Sequence, residues 1–149
     1  MLDEKNIYLD VEANTKEELI SFICDHAYEQ RITRDRDGLY QDFLNREEEF
    51  PTGLQDGFAI PHARSERVDQ IAIMYLRVKN GIEWGTLDDQ VVRYIFALLV
   101  PAHHEGNVHL QMISKLATCL LEDDFKDMVK SSEDKTELKK YIIKNMEED

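Results

Sequence analysis

The sequence predicts an α/β fold: a three-layer domain with a mixed, mostly parallel central sheet flanked by helices. Two observations carry this. The segment Gln70 to Val78 (QIAIMYLRV) is largely apolar on both alternating faces, and Val91 to Val100 (VVRYIFALLV) is so apart from Arg93. Strands of that kind sit in the middle of a sheet covered on both sides. The order of elements, one strand, two helices, about three strands and then helices, argues for helices layered on a mixed sheet. A length of 149 residues corresponds to one ordinary domain, 1–149, large enough for a sizeable core.

Taken in order, Ile7 to Val11 alternates and is rich in strand formers, which predicts a short first strand. Thr15-Lys16-Glu17-Glu18 is a capping box, and Leu19, Ile20, Ile23 and Ala27 follow at helical spacing, so a helix is expected to about Glu29. A second helix is expected from about Asp37 to Glu48, with Leu39, Phe43 and Leu44 inward. Phe50 to Asp56 contains Pro51 and Gly53 and reads as a loop. Gly57 to Ile60 reads as a short strand that stops at Pro61, since proline has no N–H for a sheet ladder. His62 is then expected just beyond a strand end, free at the sheet edge.

Asn80-Gly81 and Trp84-Gly85 mark turns between the two apolar strands. His103 to Gly106 is a polar loop, and Asn107 is an N-cap candidate for a helix carrying Leu110, Ile113, Leu116, Ala117 and Leu120. Asp124 to Lys130 is expected to be a short helix. Ser131 or Ser132 is expected to cap a last helix, with Leu138, Tyr141 and Ile142 inward.

Eighteen basic residues against 31 acidic ones give a net charge of −13. Binding nucleic acid through phosphates needs a basic face, so this balance argues against that class, and against an anionic membrane surface for the same reason. No apolar run approaches the ~20 residues that span a bilayer. The N-terminus, MLDEKN, is not a secretory signal, and the expected location is cytoplasmic. Cys24 and Cys119 lie in separate apolar segments without metal-type spacing, as buried thiols do in a reducing compartment.

Phosphate-loop, dinucleotide and GxSxG patterns are absent. The histidines are His26, His62, His103, His104 and His109. His26 lies mid-helix and reads as a surface or boundary residue. His103, His104 and His109 with Glu105 offer enough ligands for zinc, but HHExxxH matches no helix-face pair, and a metal-free site is the preferred reading. His109 falls in the first turn of its helix, where free N–H groups and the dipole favour an anion and a neutral imidazole. A neutral ring nitrogen is a good nucleophile at pH 7, so a histidine that accepts a group from a protein partner stays open.

Three segments, in order, resemble one family. They are Arg46-Glu47…Pro51-Thr52-Gly53…Gly57-Phe58-Ala59-Ile60-Pro61-His62, then Gly81-Ile82-Glu83-Trp84-Gly85…Phe96-Ala97-Leu98-Leu99-Val100-Pro101, then Asn107-Val108-His109-Leu110-Gln111-Met112. The chain is similar over nearly its whole length to the fructose–mannitol type EIIA domain of the bacterial phosphoenolpyruvate-dependent sugar phosphotransferase system. The resemblance implies a cytoplasmic phosphocarrier in which His62 is phosphorylated on Nε2 by phospho-HPr. A cysteine of EIIB would receive the group and pass it to a fructose-, mannitol- or galactitol-like sugar at the membrane component EIIC.

By the same resemblance His109 would hydrogen-bond the phosphoryl oxygens and Arg46 would offset their charge. Thr52 and Gly53 would line the loop beneath the phosphoryl group. Nδ1–H of His62 is expected to donate to a backbone carbonyl, and no metal or other cofactor is implied. Arg64 reads as an exposed side chain. Phe50 and Leu54, with Asp56 and Glu66 as an acidic rim, are expected around His62 on the docking face, and Phe58 is expected in the core. No EIIB or EIIC segment is present, which reads as a free-standing component. The alternative is a nitrogen-type regulatory EIIA, which shares the ArgGlu…ThrGly…AlaIleProHis pattern and acts by phosphorylation-dependent protein binding.

Overall fold

A computed structural model describes residues 1–103 and 107–147. The chain opens with a 3-10 turn, Glu4–Asn6, and strand β1, Ile7–Val11. Two helices follow, α1 at Lys16–Glu29 and α2 at Arg36–Glu49. Then come four strands, β2 at Phe58–Ala59, β3 at His62–Ser65, β4 at Ala72–Ile82 and β5 at Val92–Pro101. Three helices close the chain, α3 at Val108–Cys119, α4 at Asp123–Ser131 and α5 at Lys135–Glu147.

The sheet runs β1-β4-β5, with β2 and then β3 laid along the far side of β5. The β4–β5 pair is antiparallel; β1 on β4, and β2 and β3 on β5, are parallel. This is the mixed, mostly parallel sheet expected from the sequence. Alternation along the central strands feeds two separate cores. Met74 and Leu76 of β4 and Ile95, Ala97 and Leu99 of β5 meet Leu19, Ile20, Ile23, Leu39 and Phe43 of α1 and α2. Ile73, Tyr75, Phe96 and Leu98 meet Leu116, Phe125, Leu138 and Ile142 of α3, α4 and α5. That division is why both strands read as apolar runs without period.

The helix starts show local chemistry at work. Thr15 Oγ1 accepts from the Glu18 N–H at 3.1 Å, while the Glu18 carboxylate reaches back one residue further than a standard capping box, to the Asn14 N–H at 2.7 Å. Asp35 caps α2 through the Gly38 N–H. The cap of α5 is Asp134, whose Oδ1 accepts from the N–H groups of Thr136 and Glu137, instead of Ser131 or Ser132. A carboxylate also suits the positive end of the helix dipole. Asn107 stands at the N-cap position of α3, but its side chain makes no capping bond and its backbone is already helical.

Two further expectations are corrected. Asn80 and Gly81 do not turn the chain: β4 runs through them to Ile82, with a register shift between Arg77 and Ile82 that absorbs the irregularity. Nor does the strand before His62 simply end at Pro61. Pro61 lacks an N–H, yet its carbonyl accepts the Leu98 N–H at 3.0 Å, and β3 resumes at once on the same neighbour, His62 opposite Leu98. The proline interrupts a ladder that continues past it. Among the described residues no helix is long and apolar enough to cross a membrane.

Candidate active site

His62 is the first residue of β3. Its register partner Leu98 belongs to the core under α3–α5, so the ring is carried toward that layer. His109, in the first turn of α3, meets it there, with ring centroids 6.4 Å apart. Arg46 arrives from the last turn of α2, which packs on the opposite face of the sheet. A cation is favoured at that end of a helix. Its Nη1 donates to the Phe50 carbonyl at 2.7 Å, which anchors the guanidinium across the end of its own helix.

The two ring nitrogens of His62 have distinct partners. Nδ1 lies 2.9 Å from the Ile60 carbonyl oxygen, and a carbonyl can only accept, so Nδ1 carries the hydrogen. Nε2 faces the Arg46 Nε at 3.1 Å, and an arginine N–H can only donate, so Nε2 presents its lone pair. Both contacts select the same neutral tautomer. Burial lowers the affinity of His62 for a second proton below its ordinary value of 6.5. The bond to the Ile60 carbonyl works against this; Arg46 and His109 add to the lowering, and Glu47 opposes it.

These groups border an open cleft of about 590 Å³ between α2, β3 and the start of α3. Arg64 and Arg67 also line it, with Asp42, Glu49 and Glu66 as its acidic margin. Arg67 is tied to Asp35 and Asp42 at 3.0 and 3.1 Å. Arg64 is exposed and donates to the Ala102 carbonyl at 2.9 Å. A half-buried imidazole lone pair beside a guanidinium and a second imidazole can accept an electrophilic group and hold the anionic charge that arrives with it.

Three of the sequence-derived residues, His62, His109 and Arg46, are thus brought together. Thr52 and Gly53 are placed behind them and border no part of the cleft. Thr52 is buried, with its hydroxyl on Glu47 and accepting from Trp84 Nε1. Gly53 packs against the carbonyl of Gly85 so closely that an added Cβ would lie 2.2 Å from that oxygen. Among the candidate docking residues Phe50 is 66% exposed, whereas Phe58 is fully buried in the core. Among the described residues no three His, Cys, Asp or Glu side chains gather as metal ligands; His104 and Glu105 lie outside those residues.

Sequence reasoning passed over Glu47 and Lys16 as individual residues. Glu47 is 6% exposed and its carboxylate takes the Lys16 ammonium at 3.1 Å, with that ammonium also over the Trp84 ring. The signal was available: Glu47 follows Phe43 by four positions, on the face of α2 that points inward, where an acid needs partners.

Residues 1–145 match the sequence model of the family described as "Phosphoenolpyruvate-dependent sugar phosphotransferase system, EIIA 2". The chain is 32% identical to the phosphotransferase-system fructose-specific EIIA component of Haloferax volcanii over 141 residues, 95% of this chain and 91% of that protein. It is 29% identical to the fructose-specific EIIABC component of Bacillus subtilis, covering 89% of this chain but 21% of that longer protein. Among solved structures, the nitrogen regulatory protein IIA-Ntr of Neisseria meningitidis superposes with a TM-score of 0.86 at 27% identity, over 95% of both chains. The chain belongs to the EIIA 2 family of the phosphoenolpyruvate-dependent sugar phosphotransferase system and is a phosphotransferase component.

Proposed function

We propose that this chain is the phosphocarrier of a fructose-type sugar uptake system, with Nε2 of His62 as the atom that carries the phosphoryl group. The observation that supports this most directly is the pair of contacts on the ring, Nδ1–H on the Ile60 carbonyl and Arg46 Nε–H on Nε2. Together they present one nitrogen lone pair at the mouth of a cleft.

In the forward step the Nε2 lone pair attacks the phosphorus of the phosphohistidine on HPr. The N–P bond to the donor breaks and its electrons return to the donor imidazole. The ring of His62 then carries positive charge, shared with the Nδ1–H that faces the Ile60 carbonyl, and this keeps the new N–P bond reactive toward a thiolate. In the second step a cysteine thiolate of EIIB attacks the phosphorus and the electron pair of the N–P bond returns to Nε2. Arg46, displaced from the lone pair by the incoming group, is in place to pair with a phosphoryl oxygen, and His109 with another. Transfer of this kind needs positioning and charge stabilisation.

The fructose assignment rests on the fructose-specific relatives, and the EIIB and EIIC partners on the joined EIIABC protein of Bacillus subtilis. Incubation with phospho-HPr is expected to label His62 with an acid-labile, alkali-stable phosphate that passes to the cysteine of a fructose-type EIIB. A label that survives His62→Ala would overturn this reading. The likeness to the nitrogen regulatory protein favours a second one, in which phosphorylation controls binding to another protein. A phosphorylated chain that binds such a target tightly, and transfers to no EIIB, would establish that alternative.

A further inference from the structure

Behind the cleft, a line of hydrogen bonds runs from a buried carboxylate to the histidine ring. The Thr52 N–H donates to Glu47 Oε2 at 3.1 Å, and the Thr52 hydroxyl is bonded to Glu47 Oε1. The Thr52 carbonyl accepts the Ile60 N–H at 3.0 Å. The Ile60 carbonyl accepts from Nδ1 of His62 at 2.9 Å. An isolated bridge between Gly53 and Ala59 sits alongside, so the two strips of chain, 52–53 and 59–60, are zipped together. On its other side Glu47 is held by Lys16 of α1.

Glu47 touches neither ring nitrogen of His62 nor the cleft. Its oxygens are used on Thr52 and Lys16; both bonds to Thr52 are buried, and the one to Lys16 is partly so. A hydrogen bond to a charged acceptor in such surroundings fixes geometry more stiffly than one on the surface. The Ile60 carbonyl, two residues before His62 and separated from it by a proline of fixed φ, has little freedom once Thr52 is anchored.

We propose that Glu47 is a positioning residue: through Thr52 and the Ile60 peptide it holds the carbonyl that selects the Nδ1–H tautomer of His62. The inference takes from the proposed function only that Nε2 is the reacting atom. Thr52, expected from the sequence beneath the phosphoryl group, then acts from behind the ring, as the link between the carboxylate and the strand.

The test reads the tautomer directly, by 15N chemical shifts of the His62 ring in the unphosphorylated full chain at pH 8. It is run in an Arg46→Met background, so that the remaining preference rests on the Ile60 carbonyl. There Nδ1–H is expected to stay the major form. Adding Glu47→Gln, which keeps an oxygen for the Thr52 N–H, is expected to leave the ratio nearly unchanged. Adding Glu47→Ala is expected to move it about fivefold toward Nε2–H, the worth of one neutral hydrogen bond.

Because Glu47→Ala strands the Lys16 ammonium, Lys16→Met/Glu47→Met serves where the alanine variant does not fold, an apolar pair being tolerated in place of a buried ion pair. The same fivefold shift is expected of it. A ratio that stays at the background value in either variant, with the amide spectrum of β4 and β5 native, overturns the proposal. The ring shifts are read without any phosphoryl donor, so this outcome is independent of whether His62 becomes phosphorylated.

Discussion

Arg46→Ala is the perturbation that bears most directly on the site. Two effects follow from the contacts of the guanidinium, 3.1 Å from Nε2 and 2.7 Å from the Phe50 carbonyl. First, with the charge and its N–H removed, protonation of Nε2 no longer competes with a hydrogen bond or meets a neighbouring cation, so the affinity of His62 for a proton rises. Burial, the larger cause of its depression, stays in place, so the change is partial. Second, phosphoryl transfer loses one charge-assisted hydrogen bond, worth about 1.5–3 kcal/mol. At 1.36 kcal/mol per decade that is about a ten- to hundredfold fall in kcat/KM for the phospho-HPr reaction. The assay is rapid-quench formation of phosphohistidine at several donor concentrations, paired with an NMR titration of the His62 ring. Transfer within about twofold of the unaltered protein, with an unmoved titration, would refute this account of Arg46.

Three other expectations follow. Gly53→Ala places a methyl against the Gly85 carbonyl, so overpacking of about 1–3 kcal/mol is expected, read as a fall in melting temperature of about 2–4 °C per kcal/mol. His62 binds a proton less readily folded than unfolded; its effect on stability is therefore nil well above pH 6.5 and grows unfavourable as pH falls below that value. His62→Gln is expected to gain urea resistance relative to the unaltered protein at pH 5 compared with pH 8, and an equal difference at both would count against it. Burial pushes the Cys24 thiol up to about 12, so it is expected to resist iodoacetamide at pH 8 until the protein is unfolded, as followed by mass spectrometry.

What was legible in the sequence was what is encoded locally. The Thr15 cap, the inward spacing of Leu19, Ile20 and Ile23, and the doubly apolar β4 and β5 all express rules that operate within a few residues. Several misreadings came from partners elsewhere in the chain, whereas the cap of α5, Asp134 in place of Ser131 or Ser132, was a local choice among adjacent candidates. Pro61 looked like a stop because its own missing N–H is visible in the sequence, whereas the Leu98 N–H that its carbonyl receives is not. Asn80-Gly81 carries turn chemistry, but the extended β4–β5 ladder overrides it. Glu47 looked like one acid among 31, and its burial depends on Lys16 and Thr52, on two other segments. Thr52 and Gly53 were expected beneath the phosphoryl group from a resemblance of residues, which carries no information on which way a side chain points. His62, His109 and Arg46 were gathered from the same resemblance, and their mutual distances are supplied by β5 and the two helices flanking it.

The sheet order has a consequence for how the chain acquires its site. Both β2 and β3 pair with β5, which is made well after them, with β4 intervening in sequence. Parallel pairings between distant segments form slowly. During synthesis α1 and α2 can pack on one another early, but the strand that presents His62 has no ladder to join until Val92 to Pro101 has left the ribosome, and His109 is later still. A nascent chain of this protein therefore holds a loosely tethered His62 until β5 is available, and the ring meets Arg46 and His109 together only after the start of α3 has been made.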